Sequence, residues 1–380
     1  MVAAARLVRA GVPVTVFEAG AALSEESRAS TFHPPTLDML DALGAAAPLI
    51  AQGLKAPQFQ YRTKPDGLIA QFDFGEIADA TRHPFRVQSE QFKLTRILYE
   101  LMRGDPHFAI EFDAKVITVE QDASGVTVGL ERQGGKQDRR RGRWLIGADG
   151  ARSEVRRALG IEFEGFTWPE RFLVVSAPYD FHAAIPDLVH VNYVADPQRW
   201  HFLLEIPGAW RIMFPVAAEV SDETARSADY AQAMMGGVLP GVTNYQIVHT
   251  TLYHVHQRVA GTYRKGRAFL AGDAAHINNP LGGMGMNGGI HDAVNLTGRL
   301  AGVWRGETGE DELDRYDRER RGVTVEYVQT QSIQNKRNLE NPDGGFKQQI
   351  RAIAADPVQR RDYLLRTAMI ASLARAAELG

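Results

Sequence analysis

Among its 380 residues the chain has no cysteine. That excludes disulfides, thiolate nucleophiles and cysteine-ligated metal sites, and it leaves the compartment open, because a cysteine-free protein suits oxidising and reducing surroundings alike. Charge of one sign is also lacking. Lys and Arg number 43 against 46 Asp and Glu, a net charge of −3, so no basic field exists to draw in nucleic acid or an acidic membrane surface. No apolar run approaches the ~18 residues that a membrane helix needs. The opening MVAAARLVRAGVPVTVFE has no long apolar stretch of the secretory kind. These absences point to a cytoplasmic soluble protein with no nucleic-acid partner and no integral membrane segment. Internal repeats and low-complexity linkers are absent as well.

What is present is ordinary for a globular enzyme: 44% hydrophobic and 23% charged residues. The length exceeds a comfortable single core and implies two lobes. Residues 2–10 read as the back half of a helix stopped by Gly11 and Pro13. Val12 to Phe17 is a short apolar β run with the pattern of a buried parallel strand, closing on Glu18. Helix, tight turn and strand ending on an acid form the second half of a dinucleotide-binding βαβ unit. The first strand and its G-x-G-x-x-G turn do not precede them. Because that strand lies centrally in this topology, the expectation is a misassigned or trimmed start.

Further along, the pattern predicts a helix over 35–43, a hairpin of 58–62 and 68–74 around Pro65-Asp66-Gly67, and an amphipathic helix over 89–102. Strands follow at 115–121 and 125–131. The basic cluster Lys136 to Arg143 reads as a solvated hairpin turn, and Trp144 to Ala148 as another buried strand. From about 165 to 260 the texture becomes that of an antiparallel sheet. Two long helical stretches are expected at the end, 311–335 and 346–379. The fold class is therefore α/β: a Rossmann-like lobe (1–164 and 261–310, with a hairpin insertion near 56–75), an inserted antiparallel β-sheet lobe (165–260) and a helical C-terminal segment (311–380).

Three motifs carry chemistry. Glu18 stands where an acid can accept hydrogen bonds from both hydroxyls of a ribose. Gly147-Ala148-Asp149-Gly150-Ala151-Arg152-Ser153 links a strand to a helix, with glycines that permit close ligand approach or simply a turn capped by Ser153. In FLAGDAAH (269–276) and INNPLGGMGMNGG (277–289), a strand delivers Asp273. Five glycines then fall within residues 282–289, before a helix expected to begin near Ile290. Backbone N–H groups and a helix N-terminus there would stabilise a ligand that gains negative charge.

In this order and spacing the motifs resemble the single-component FAD-dependent aromatic hydroxylases of the para-hydroxybenzoate hydroxylase type, over almost the whole chain. The resemblance implies FAD as cofactor, with Glu18, Arg28, Gln91, Asp149, Gly150, Gly272, Asp273, Gly285, Met286 and Asn287 binding it. It implies that the carbonyl of Pro280 faces the substrate ring, and that NADPH or NADH serves as co-substrate. It further implies O2-dependent hydroxylation of a small phenol or aromatic acid through a flavin C4a-hydroperoxide. Departures from the family pattern are the missing G-x-G-x-x-G and Met284, where relatives often carry a polar residue. From position alone, Tyr193, His201, Phe202, Arg211 and Met213 on the sheet lobe are candidates to line the pocket, and no catalytic acid or base can be chosen. His254 and His256 lack a third ligand at suitable spacing, so no metal is expected. His276 reads as positional, and His33 as part of a turn. The same fold hosts flavin reductases and halogenases, although WHFLLEIP (200–207) lacks the halogenase spacing. A folded remnant unable to hold FAD is the alternative outside enzymes. The basic and apolar faces of the last helical stretch read as a solvated helix packed on the lobe, with contact to a membrane surface or to a second subunit (a homodimer) as the alternatives.

Overall fold

The computed structural model describes residues 1–26, 29–197 and 199–380. The first segment runs α1 (Val2–Arg9), β1 (Val14–Phe17), β2 (Thr31–Phe32), α2 (Pro34–Asp41) and α3 (Ala46–Ala51). Next come β3 (Leu54–Ala56), β4 (Gln58–Thr63), β5 (Gly67–Asp73), β6 (Arg86–Gln88), α4 (Gln91–Met102) and β7 (Phe108–Glu111). A meander of β8 (Ala114–Gln121), β9 (Val126–Arg132) and β10 (Gln137–Gly142) leads to β11 (Leu145–Gly147) and α5 (Glu154–Ala158). The sheet region holds β12 (Phe163–Ala177), α6 (Phe181–Ala184), β13 (Val191–Ala195), β14 (His201–Ile206), β15 (Ala209–Val216), α7 (Asp222–Ala225), α8 (Ala228–Met235) and β16 (His249–Ala260). The chain then returns through β17 (Arg264–Lys265), β18 (Ala268–Leu270) and β19 (His276–Ile277) to α9 (Met284–Trp304). The end comprises α10 (Asp314–Tyr316), α11 (Thr330–Glu340), α12 (Lys347–Ala355), α13 (Pro357–Thr367) and α14 (Ile370–Leu379).

Local chemistry sets the first unit. α1 buries Val2, Ala4, Ala5, Leu7 and Val8. It stops where Gly11 takes φ +71° and the Val12 N–H donates to the Leu7 carbonyl at 2.9 Å, the hydrogen bond of a Schellman end. β1 pairs in parallel with β7, Val14 opposite Phe108. The second parallel pair, β11 with β18, lies in a separate sheet. Among the described residues β7 is the one strand beside β1, so its other side is an edge: Val14, Val16 and Phe17 are half-buried and Thr15 is exposed. It is not the fully buried strand that its apolar run suggests.

Eight strands form the large sheet in the order β19-β16-β12-β15-β14-β13-β4-β5. All pairs are antiparallel except β13 with β4. The β4–β5 hairpin, expected as an insertion within the first lobe, is thus the far end of this sheet. Alternation divides its side chains between two faces. Phe59, Tyr61, Phe72, Tyr193, Phe202 and Met213 share one core with Leu339, Phe346, Ile350 and Leu364 of the C-terminal helices. Val194, Leu203, Ile212 and Phe214 share the other with Phe181, Met234 and Met235.

Three other expectations are corrected. The basic run 136–143 is not a turn but mostly the strand β10, paired with β9, and the turn is Gln133–Gly135. An all-polar strand holds here because acids face its arginines: Arg141 contacts both Asp122 oxygens at 2.7 and 2.8 Å, and Arg139 meets Glu120. The last stretch is not one helix. Pro357 cannot continue a helix from its predecessor, so Asp356 is extended and its carboxylate caps α13 through the N–H groups of Val358 and Gln359. A further break falls at Met369, φ +66°. Finally, α9 begins at Met284, six residues before the expected start, so most of the glycine-rich loop lies inside a helix.

Candidate active site

Each motif occupies the end of an element. Glu18 closes β1, with backbone bonds to Glu111 and Ala114 and its Oε1 accepting from the Gly20 N–H at 2.8 Å. Gln91 is the first residue of α4, and its N–H donates to the Ala29 carbonyl at 3.0 Å. Arg28 lies outside the described residues. Asp149 and Gly150 follow β11, where Gly150 takes φ +81°. The Asp149 carboxylate accepts from Ser153 Oγ at 2.5 Å and the Val155 N–H at 3.1 Å, so it organises the start of α5.

The residue joining this turn to the next motif is one that sequence reading missed. Arg156, buried on α5, donates to the Ala151 carbonyl at 2.7 Å and the Ala274 carbonyl at 2.8 Å, and lies 3.7 Å over the Phe163 ring. It clamps the Asp149 loop to the Asp273 loop. Asp273 itself is exposed in the short turn Gly272–Ala274.

Packing explains the glycines of the 272–289 segment. Gly282 and Gly283 have φ +96° and +66°, and Gly283 is the α9 N-cap with no side-chain cap. A Cβ on Gly289 would sit 2.9 Å from the Gly272 Cα, so the helix rests directly on the turn that presents Asp273. At Gly285 the nearest atom to a Cβ is Asn278 Oδ1 at 3.5 Å, ordinary contact. The first turn of α9 therefore offers uncapped N–H groups beside a carboxylate-bearing turn. Asn278 Oδ1 is buried there without a partner. These N–H donors, together with the carboxylate and amide-oxygen acceptors, fit the pyrimidine and ribityl portions of a flavin nucleotide. Met286 is half-buried in that first turn. Asn287 is buried, and its side chain acts within the protein instead. It donates to the Thr31 and Gly283 carbonyls and accepts from the His33 N–H, fixing α9 to β2 and α2.

Beneath the helix lies a buried charge cluster that also escaped sequence reading. Asp292 accepts from His276 Nε2 at 2.8 Å, Arg320 Nε at 2.8 Å and the Gly272 N–H at 3.1 Å. Burial opposes ionisation of Asp292, yet the charges and hydrogen bonds of His276 and Arg320 outweigh it and hold the pKa at about 2. His276 is thus used for position. His33, the N-cap of α2, donates from Nε2 to the Gly282 carbonyl at 2.8 Å. Burial, then the nearby Arg86 charge, keep its pKa well below the usual value.

A narrow pocket opens beside Gly282 and Met284, lined also by Phe59, Tyr61, Arg86 and Tyr193. Tyr61 and Tyr193 stack at 5.4 Å, and Tyr61 Oη shares a 2.8 Å hydrogen bond with Tyr363 Oη from α13. Burial raises both of these phenols, Tyr363 to about 12, so they stay protonated. Arg86 is 2% exposed and lies over Phe59 (4.9 Å) and Phe74 (5.1 Å), with Nη1 3.5 Å from Tyr193 Oη. Its Nε has no partner, and no carboxylate of the described residues forms an ion pair with it.

Of the positional candidates, Tyr193 lines this pocket, and Phe202 and Met213 lie in the core on the same face. Arg211 alternates with Met213 along β15 and is buried on that face. His201 is corrected: it sits 5.7 Å from Phe214 on the opposite face, bound to the Arg199 carbonyl. Pro280 is exposed, and its carbonyl accepts from the Gly283 N–H at 3.0 Å, closing the turn into α9.

An α/β nucleotide lobe joined to a large sheet, with an uncapped glycine-rich helix start beside a narrow aromatic cleft, fits a flavin-nucleotide oxidoreductase. The chain belongs to the FAD binding domain family, whose model matches residues 1–331, and it is an FAD-dependent monooxygenase. It is 33% identical over 339 residues to para-nitrophenol 4-monooxygenase of Pseudomonas sp. (strain WBC-3), covering 88% of this chain and 83% of that protein. With 6-hydroxy-3-succinoylpyridine 3-monooxygenase of Pseudomonas putida (strain DSM 28022 / S16) it shares 32% over 373 residues, 94% and 92% of the two chains. Among solved structures, p-nitrophenol 4-monooxygenase from Pseudomonas putida DLL-E4 superposes with a TM-score of 0.91 at 30% identity, covering 98% of this chain and 94% of that one. No described helix is long and apolar enough to cross a membrane.

Proposed function

We propose that the protein hydroxylates a single-ring phenol or small aromatic acid, bound as an anion, with NADPH or NADH and O2 as co-substrates. The observation that carries this reading is Arg86. A buried guanidinium without a carboxylate costs several kcal/mol unless another anion pairs with it, and this one lines an aromatic pocket beside the start of α9. A phenolate or carboxylate oxygen is the missing partner. The similarity to enzymes named for nitrophenol and pentachlorophenol supports the same substrate class.

In this reading FAD lies along Glu18, Gln91, Asp149, Gly150, Gly272 and Asp273, with the N–H groups of Gly285, Met286 and Asn287 at its pyrimidine end. When bound, it supplies electron transfer from the nicotinamide and the activation of dioxygen. The chain's own residues bind and orient the ring. Arg86 fixes the anionic oxygen and favours ionisation of a phenol. Tyr61 and Tyr193 face the ring, and the Tyr61–Tyr363 pair keeps one Oη–H free of its partner to donate to a substrate oxygen. Leu281 and Phe346 close the surrounding core against water. Titration of the FAD-loaded protein with a phenol and with its methyl ether tests the reading. The phenol binds at least about tenfold more tightly, the loss of one charge-assisted hydrogen bond being worth about 1.5–3 kcal/mol. Equal affinity for the two would remove the role given to Arg86.

A further inference from the structure

We propose that His182, His190 and Glu205 form a binding site for a divalent transition-metal ion of the zinc class. His182 is on α6, His190 precedes β13 and Glu205 is in β14. Their ligand atoms all lie within 4.8 Å of one another. Glu205 Oε2 is 2.8 Å from His182 Nε2 and 2.6 Å from His190 Nδ1. Two imidazoles and one carboxylate are a zinc donor set that leaves a fourth position for water. With metal–ligand bonds of about 2.0–2.2 Å, ligand atoms around a tetrahedral ion stand about 3.3–3.6 Å apart. The carboxylate must therefore move back by up to about 1 Å, and the two imidazole nitrogens, within 4.8 Å of each other, close by about 1.5 Å at most.

The backbone holds the three residues in place before any ion arrives. The Glu205 N–H donates to the His190 carbonyl at 2.9 Å, and the Asp180 side chain caps α6 through the Ala183 N–H at 3.0 Å. His182 also packs edge-on against Trp210 at 5.1 Å. The cluster is open to water, with side-chain exposures of 40%, 35% and 22%. Trp210 belongs to the core on the far face of the sheet, so the site is separate from the aromatic pocket. Binding needs both imidazoles neutral, with His182 Nε2 and His190 Nδ1 free of their protons. A proton on either ring therefore competes with the metal. Sequence reading, which expected no metal, did not pair these residues because they come from three separate segments.

Calorimetric titration of the tag-free, FAD-loaded full chain with Zn2+ at pH 7.5 tests the proposal. One site of micromolar order is expected, weakened at least about tenfold by His190→Ala and by Glu205→Gln. Ni2+ should quench part of the tryptophan emission in the parent protein and much less in either variant. Glu205→Gln keeps the side-chain shape, so it decides the matter if His190→Ala fails to fold. Absence of Zn2+ binding in the parent protein, or equal binding in the folded variants, would overturn the proposal.

Discussion

Arg86 and Asp292 show how differently this protein treats two buried charges. Asp292 is fully compensated by Arg320, His276 and a backbone N–H, whereas Arg86 has ring faces and a distant hydroxyl. Removing the first breaks a buried pair, so Asp292→Asn should destabilise by about 3–5 kcal/mol in urea melts. Removing the second relieves an unpaired charge. Arg86→Met should leave stability unchanged or raised while increasing KM for a phenol about tenfold or more; a large loss of stability with unchanged KM would make Arg86 structural. Titration follows from the same burial. His201 and His291 are held by burial at about 4 and about 3, below the ordinary histidine value. Each binds a proton more readily unfolded than folded, so its contribution is complete above pH 6.5 and is lost as the pH falls toward those values. That loss is on the order of 2 kcal/mol per histidine by pH 5. Asp292, also depressed, contributes above about pH 4 and loses its share between pH 4 and 2. Urea midpoints that stay flat from pH 7 to 5 would contradict the histidine assignment.

At the scale of elements, α9 is where sequence and structure part most instructively. Glycine density makes residues 282–289 read as a loop, yet Gly288 and Gly289 lie inside α9; they are glycine because a Cβ would crowd the His276 ring at 3.0 Å and meet the Gly272 backbone at 2.9 Å. Intrinsic propensity is overridden by a close approach that a sequence cannot display. Gly289→Ala should therefore displace α9 from the Asp273 turn and lower both stability and FAD affinity. Gly285→Ala meets only ordinary contact and should fold at least as stably, while the proposed placement of its backbone at the flavin predicts a fall in FAD affinity. Thermal melts and flavin titrations of the pair separate a packing glycine from a cradle glycine. Strand alternation was legible for β4, β5, β8, β9 and the long strands of the sheet, but not which face met the tail. His201 and Phe202 are neighbours on β14 and cannot both point at the pocket. Arg86 gave no signal at all: it sits in a three-residue strand, and its surroundings come from residues 59, 74 and 193.

For the molecule as a whole, the nucleotide-binding character could be read from contiguous motifs, because each motif is one turn of chain at the end of a strand. The pocket could not, because Tyr61, Arg86, Tyr193 and Tyr363 meet only once the large sheet is assembled and the C-terminal helices cover it. The tail is thus part of the core. Leu364, fully buried against the sheet face, should cost about 2–5 kcal/mol on change to Ala. Val358 on the same helix, 71% exposed, should cost less than about 0.5 kcal/mol. Comparable effects at both positions would contradict the packing of the tail on the sheet. Hydroxylation itself is read by product analysis after incubating the FAD-loaded chain with NADPH, 4-nitrophenol and isotopically labelled dioxygen. A ring-hydroxylated product carrying one labelled oxygen atom is expected, lost in Arg86→Met at low substrate concentration. Oxidation of NADPH without label in any aromatic product, across a series of single-ring phenols, would contradict it.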